Sequence, residues 1–241
     1  MSDSPPTLGQ RAVAECVGTF FLLAAVVGSG IMAERLFVGN VGLALLANSI
    51  ATGAALVALI LAFGPLSGAH LNPAVSLCAA AQGELSQREA SVYVLAQTAG
   101  AVAGVAVANL MFELPLFSIA QHARYGAGQL LSEFVATFGL LSVIRGCSGS
   151  RSSGVVAVAV AGYIVAAYWF TASTSFANPA VTLARCLSDS FAGIRPVDVP
   201  GFLVAQILGA AAATGLFRLL SPADRREIDR RTLLAEPGGP G

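Results

Sequence analysis

The sequence contains no lysine: all thirteen basic residues among its 241 are arginine, and thirteen acids balance them to a net charge of zero. That balance gives no electrostatic reason to expect a nucleic-acid partner. Charge is scarce altogether, 11% of residues against 56% hydrophobic, with a mean hydropathy of +0.76. So few charges cannot cover a soluble globule of this length, and the chain belongs in a bilayer with lipid around it. Histidine is limited to His70 and His122, and the four cysteines, Cys16, Cys78, Cys147 and Cys186, are scattered without a CxxC pair. This pattern argues against a metal site and against a disulfide framework, leaving the cysteines as small apolar packing residues; no cofactor is expected. Residues 1–10 are polar and lack the basic stretch and small-residue cleavage site of a secretory signal peptide.

What the chain has instead is long apolar runs. A bilayer crossing takes about 20 apolar residues, and six segments reach or approach that length: 12–33, 41–63, 90–112, 130–146, 154–172 and 201–220. Two further apolar segments, 72–81 and 178–187, are half as long. Each opens on Asn-Pro, an N-cap followed by a residue whose fixed φ suits the first helical position. A helix lying on the membrane surface usually carries a basic polar face, and 72–81 carries no charge at all. They read as re-entrant half-helices.

The chain also repeats itself. Ser67 to Leu77 is echoed 106 positions later by Ser173 to Leu183; Glu15 to Leu23 aligns with Glu133 to Leu141, and Gln97-Thr98-Ala99-Gly100 with Gln206-Ile207-Leu208-Gly209. Three landmarks in one order mean two homologous halves, about 11–112 and 130–220. Three spans per half is an odd number, so the second half lies inverted and the half-helices enter from opposite faces. With both termini on one side, that side collects nine of the thirteen arginines, which makes it the cytoplasmic side. The expected layout is a cytoplasmic segment 1–10, a channel domain 11–220, and a charged, then Pro/Gly-rich cytoplasmic tail 221–241 that begins as a frayed helix. The connector 113–129 is the external link between the halves.

Irregular backbone at membrane depth is tolerated where it is buried in protein or lines a cavity, so two re-entrant loops imply an aqueous path. Half-helices meeting at the midplane bring Asn72 and Asn178 together, with side-chain amides free to donate to a passing oxygen. Two helix N-termini at that point repel cations. Carbonyls of Gly68, Ala69 and His70 on one side, and of Thr174, Ser175 and Phe176 on the other, form a ladder of acceptors opposite an apolar wall. His70 is expected to hold its loop, with its carbonyl rather than its imidazole on the pore.

These residues resemble the aquaporin and aquaglyceroporin (major intrinsic protein) family. SGAHLNPAV at 67–75 is close to the family's first signature, and ANPA at 177–180 matches the core of the second, so Asn72-Pro73-Ala74 and Asn178-Pro179-Ala180 are its paired motifs. The resemblance covers about 11–220. It implies an all-α membrane protein of six transmembrane helices plus two re-entrant half-helices, assembled as a homotetramer in the cell (inner) membrane with one pore per subunit. It also implies that Glu15 and Glu133 brace the re-entrant loops, where the alternative for Glu15 is contact with interfacial water.

The chain departs from the family at the external constriction. Counting from the two asparagines places the four filter positions at Thr52, Ala166, Ser175 and Val181. Water channels and glycerol facilitators have an aromatic at the first and Arg at the last. The expectation is a wide, uncharged filter without a ring or a guanidinium. Arg185, four residues beyond Val181, either places a positive charge in the vestibule or pairs with Asp189 at i+4. NPAV followed by TLARCLSDSFAGI is similar to a bacterial aquaglyceroporin-like subgroup associated with arsenic resistance. That similarity implies passage of arsenite as its neutral hydroxide, and of methylated arsenicals, besides glycerol or water. The competing classes are an ordinary glycerol or water facilitator and an ion-coupled secondary transporter. The transporter would need intramembrane acids beyond the two brace candidates. An enzyme would need a nucleophile or metal constellation that the sequence does not bring to one depth.

Overall fold

The computed structural model describes residues 5–147 and 153–220. The tail 221–241, and Arg151 among the arginines used for orientation, lie outside the described residues. Eight α-helices follow in order: α1 Leu8–Leu36, α2 Val41–Ser67, α3 Pro73–Ala81, α4 Gln87–Met111, α5 Ala127–Cys147, α6 Ser153–Phe170, α7 Pro179–Arg185 and α8 Val199–Leu220, the last preceded by a 3-10 turn, Pro196–Asp198. Every segment expected from the apolar runs is a helix. The outer boundaries extend by a few polar residues because capping groups lie outside the apolar run. At α1 the Thr7 side chain accepts from Gln10 N while Gln10 returns the bond to Thr7 N, and Ser86 and Glu89 do the same for α4.

Five helices are long and apolar enough to cross a membrane by length and composition. α6 has 18 residues, about 27 Å at 1.5 Å per residue, which still matches a hydrocarbon core of about 30 Å. Helices in this chain are apolar all round, as lipid-facing helices are. Val13, Ile50, Leu61, Leu95, Val158, Val204 and Leu208 each point outwards, and polar side chains are buried instead.

In each half a long pair packs tightly, α1 along α4 and α5 along α8, while α2 meets α6 across the halves. Glycine sets these crossings. A Cβ on Gly100 of α4 would stand 2.1 Å from Cys16 O of α1, and one on Gly209 of α8 would stand 2.4 Å from Phe134 O of α5. Backbone against backbone leaves no side chain to move aside, so only glycine allows the approach. α3 reaches α8 of the other half, and α7 reaches α4, so each half-helix locks the two repeats together.

Candidate functional site: a cavity between paired half-helices

The half-helices are short because both their ends are fixed. Asn72 and Asn178 cap α3 and α7, accepting from Ala74 N at 2.9 Å and from Ala180 N at 3.0 Å, and a proline follows each. Their Nδ2 groups cross the midline: Asn72 donates to Ala177 O and Asn178 to Leu71 O, both at 2.8 Å. The sequence expectation of amides free to donate is therefore corrected. One hydrogen of each amide is spent on the opposite loop, leaving one per side chain.

The loops ahead of the caps are backbone-strained in matching places. Gly68 and Thr174 have φ of +87° and +61°, Ala69 and Ser175 +45° and +51°, and Leu71 and Ala177 both +48°. For a non-glycine residue each such conformation costs about 1–3 kcal/mol unless its surroundings enforce it. The enforcement comes from two buried carboxylates. Glu15 accepts from His70 N at 2.9 Å, Leu71 N at 2.7 Å, Ser67 Oγ at 2.6 Å and Gln97 Nε2 at 2.7 Å. Glu133 accepts from Phe176 N at 2.8 Å, Ala177 N at 2.9 Å and Gln206 Nε2 at 2.6 Å. Both side chains are fully buried, so the interfacial-water alternative for Glu15 does not hold.

Gln97 and Gln206 were visible as repeat landmarks but carried no role in the sequence. They complete the braces, donating also to Ser76 Oγ at 2.9 Å and Thr182 Oγ1 at 2.7 Å. The signal was there, a buried amide returning at the matching place in each half. His70 Nδ1 lies 3.0 Å from Ser76 Oγ, with its ring edge-on to Tyr93.

Between the half-helices and the long helices runs a cavity of about 200 Å³. One wall is apolar and obeys the repeat, with Leu22 and Val26 from α1 facing Leu140 and Ile144 from α5. The other wall carries Gly68, Ala69, His70, Ser175, Phe176 and both cap asparagines. Thr174, expected in the carbonyl ladder, is not among the lining residues, and its Oγ1 instead receives Arg124 Nη1 at 3.4 Å. One end of the cavity, on the side of the chain termini, holds Gln82, Glu84 and Arg145, with Arg145 paired to Glu84.

Towards the other end stand Thr52, Ser175 and Val181. Ala166, the fourth position reached by counting, is exposed on the outer face of α6. Tyr168 lines the cavity in its place, its hydroxyl 3.1 Å from Thr52 Oγ1. Two residues along a helix is a turn of about 200°, so an offset of two in the count moves a residue to the opposite face. The expected filter without a ring is corrected accordingly.

Arg185 also lines this end and is only 2% exposed. Its pairing with Asp189 does not occur, because α7 ends at Arg185 and no i+4 neighbour exists beyond a helix end; Asp189 accepts from Gln121 N at 2.9 Å. Instead Arg185 Nε donates to Ala192 O, and its guanidinium lies 3.5 Å from the centre of the Phe176 ring. Arg124, an unremarkable connector residue in the sequence, is buried beside it. Its side chain donates to Gly193 O at 2.8 Å, Ser173 O at 3.0 Å and Phe191 O at 3.3 Å, with its guanidinium 4.9 Å from the same ring. Burial lowers its pKa to about 10, so Arg124 remains a cation at neutral pH.

Six long helices, two half-helices and a bracketed cavity between mirrored Asn-Pro-Ala caps define a multi-pass membrane channel for small solutes. The family model described as "Major intrinsic protein" matches residues 3–155 and 148–236, and the chain belongs to that family. It is a channel for small solutes such as glycerol or water, not an enzyme. Among its relatives, the aquaglyceroporin AqpS of Rhizobium meliloti (strain 1021) is 55% identical over 227 residues, covering 93% of this chain and 95% of that protein. Aquaporin NIP1-4 of Oryza sativa subsp. japonica is 35% identical over 219 residues, covering 89% and 78%. The X-ray structure of the aquaglyceroporin from Plasmodium falciparum superposes with a TM-score of 0.68 at 21% identity over 91% of this chain and 99% of that one, a likeness of fold.

Proposed function

We propose that the chain is a passive channel for small uncharged solutes, conducting arsenite as its neutral hydroxide and methylated arsenicals as well as glycerol or water. The observation that carries this is the two-sided cavity, apolar on one wall and lined on the other by the loop residues Gly68, Ala69, His70, Ser175 and Phe176 and the paired Asn72 and Asn178. A neutral polyhydroxylated solute can exchange its hydration shell for such a wall, whereas an ion loses more than the wall returns. Val181 keeps the position after the second Asn-Pro-Ala free of a charged side chain, which leaves room for solutes bulkier than water. Thr52, Tyr168, Ser175 and Val181 form the constriction, Glu15 and Glu133 brace the loops, and the segment 11–220 is the channel. The Arg185 end faces outwards, both termini lie in the cytoplasm across the inner membrane, and four copies assemble with one pore each.

The test is swelling and uptake by liposomes that carry the purified protein, run side by side for water, glycerol, arsenite and a methylated arsenical with no ion gradient. The expected result is gradient-free flux of glycerol and of both arsenicals above empty liposomes. Flux that needs a proton or sodium gradient would make the protein a coupled transporter, and flux of water and glycerol alone would make it an ordinary facilitator.

A further inference from the structure

Arg185 is a buried cation on the lining of the conduit, and the chain leaves it unneutralised. It makes one hydrogen bond among the described residues, from Nε to Ala192 O, so both terminal nitrogens, Nη1 and Nη2, keep their hydrogens unspent. The ion pairs among the described residues are Arg11 with Glu89, Arg145 with Glu84 and Arg195 with Asp198; neither Arg185 nor Arg124 takes part in one. Arg124 differs in that four of its five N–H donors are taken up, by the carbonyls of residues 173, 191 and 193 and by Thr174 Oγ1. Within the same cavity wall the Ser175 hydroxyl is buried and has no partner either. Buried donors without partners cost about 1–3 kcal/mol each, more for a charge. A stretch of pore that holds the unpartnered Ser175 hydroxyl beside the unspent terminal N–H groups of Arg185 offers them to the permeating solute.

We propose that Arg185 is the specificity-determining cation of this constriction. It reaches the pore from one helical turn beyond Val181, is fixed by Ala192 O and the Phe176 ring, and donates from Nη1 and Nη2 to the oxygens of the passing solute. This rests on the channel reading above and deepens it by naming the solute class. Molecules presenting lone-pair oxygen and carrying no positive charge pass, and cations are turned back at Arg185. Val181 and Arg185 thus divide one task. The small apolar residue after the motif leaves width, and the displaced guanidinium supplies the hydrogen bonds and the charge.

The experiment uses the full-length protein in liposomes, with two independent readouts: glycerol swelling, and entry of methylammonium and of protons. Three variants are compared with the parent: Arg185→Leu, Arg185→Gln, which keeps an N–H donor but no charge, and Arg185→Lys, which keeps the charge. Both neutral variants should raise methylammonium and proton entry by at least about tenfold, a modest share of the repulsion between two unit charges at contact distance, and Arg185→Leu, which also removes the donors, should lower glycerol swelling more than Arg185→Gln does. Arg185→Lys should restore exclusion. Size-exclusion elution reports assembly, and if the leucine variant fails to assemble, the glutamine and lysine pair decides. Neutral variants that exclude methylammonium and protons as well as the parent would overturn the proposal and make Arg185 a strut for residues 186–195. Absence of glycerol swelling in the parent would instead overturn the cargo reading, and the cation readout would still decide the role of Arg185.

Discussion

At the scale of single residues, the two carboxylates hold backbone in a conformation it would otherwise leave. Glu133 accepts two backbone N–H groups and one amide from a fully buried position. Glu133→Gln turns one acceptor into a donor facing donors, and leaves at least one buried N–H without a partner at about 1–3 kcal/mol. The expected outcome is a fall in the Tm of the detergent-solubilised protein by about 2–4 °C for each of those kcal/mol, with lower glycerol flux; Glu15→Gln should act in the same direction, because Glu15 accepts from the matching backbone N–H groups and amide, with Ser67 Oγ in addition. A variant with unchanged Tm and flux would mean that the strained loops stand without the brace. Most of this site was legible in the sequence because the repeat displays each part twice: Asn72 with Asn178, and Glu15 with Glu133. What occurs once was not. Nothing in the connector distinguishes Arg124 from a solvated arginine. Ala166 was reached by counting through a helix end, where an offset of two residues reverses the face.

At the scale of elements, close helix crossings set the width of the conduit, since α1 and α5 supply its apolar wall and are pinned by α4 and α8. At Gly100 an added methyl would meet Cys16 O at 2.1 Å, and backbone cannot yield to it without separating α1 from α4. Gly162 on the outer face of α6 meets nothing within 4 Å. The two glycines therefore predict opposite outcomes for the same substitution. Gly162→Ala should leave the Tm unchanged or raise it, as alanine is the better helix former by about 1 kcal/mol. Gly100→Ala should lower it, since overpacking costs about 1–3 kcal/mol or more. Equal thermal shifts in the two variants would show that the α1–α4 crossing relaxes freely. The helices themselves were readable from apolar run length, yet these contacts were not. A glycine in an apolar helix looks alike in sequence whether it faces lipid or another backbone, and the Gly100–Gly209 correspondence acquires meaning only once the partner helices are known.

At the scale of the whole molecule, the inverted repeat makes the two ends of the conduit chemically different although the halves match. The end nearer the termini carries Arg11 paired with Glu89 at 2.5 Å and Arg145 paired with Glu84, with Arg218 donating to Ala81 O at 2.7 Å. The opposite end carries the buried Arg124 and Arg185. Basic residues are retained on the cytoplasmic side; the described arginines divide four and four, and the excess expected with the termini is a sequence count that rests on Arg151 and the four arginines of 221–241, from which the Arg185 end should meet the outside. Single cysteines in a background free of Cys16, Cys78, Cys147 and Cys186 can test this with a membrane-impermeant maleimide on intact cells. Val38, 85% exposed between α1 and α2, and Tyr125, 73% exposed ahead of α5, lie at the Arg185 end; Gln87, exposed at the start of α4, lies with the termini. Val38→Cys and Tyr125→Cys should be labelled before lysis, and Gln87→Cys only after it. The reverse pattern would invert the molecule and place the Arg185 constriction at the cytoplasmic mouth. Solutes leaving the cell would then meet the guanidinium first, whereas in the orientation argued here it is the first element met by solutes that enter.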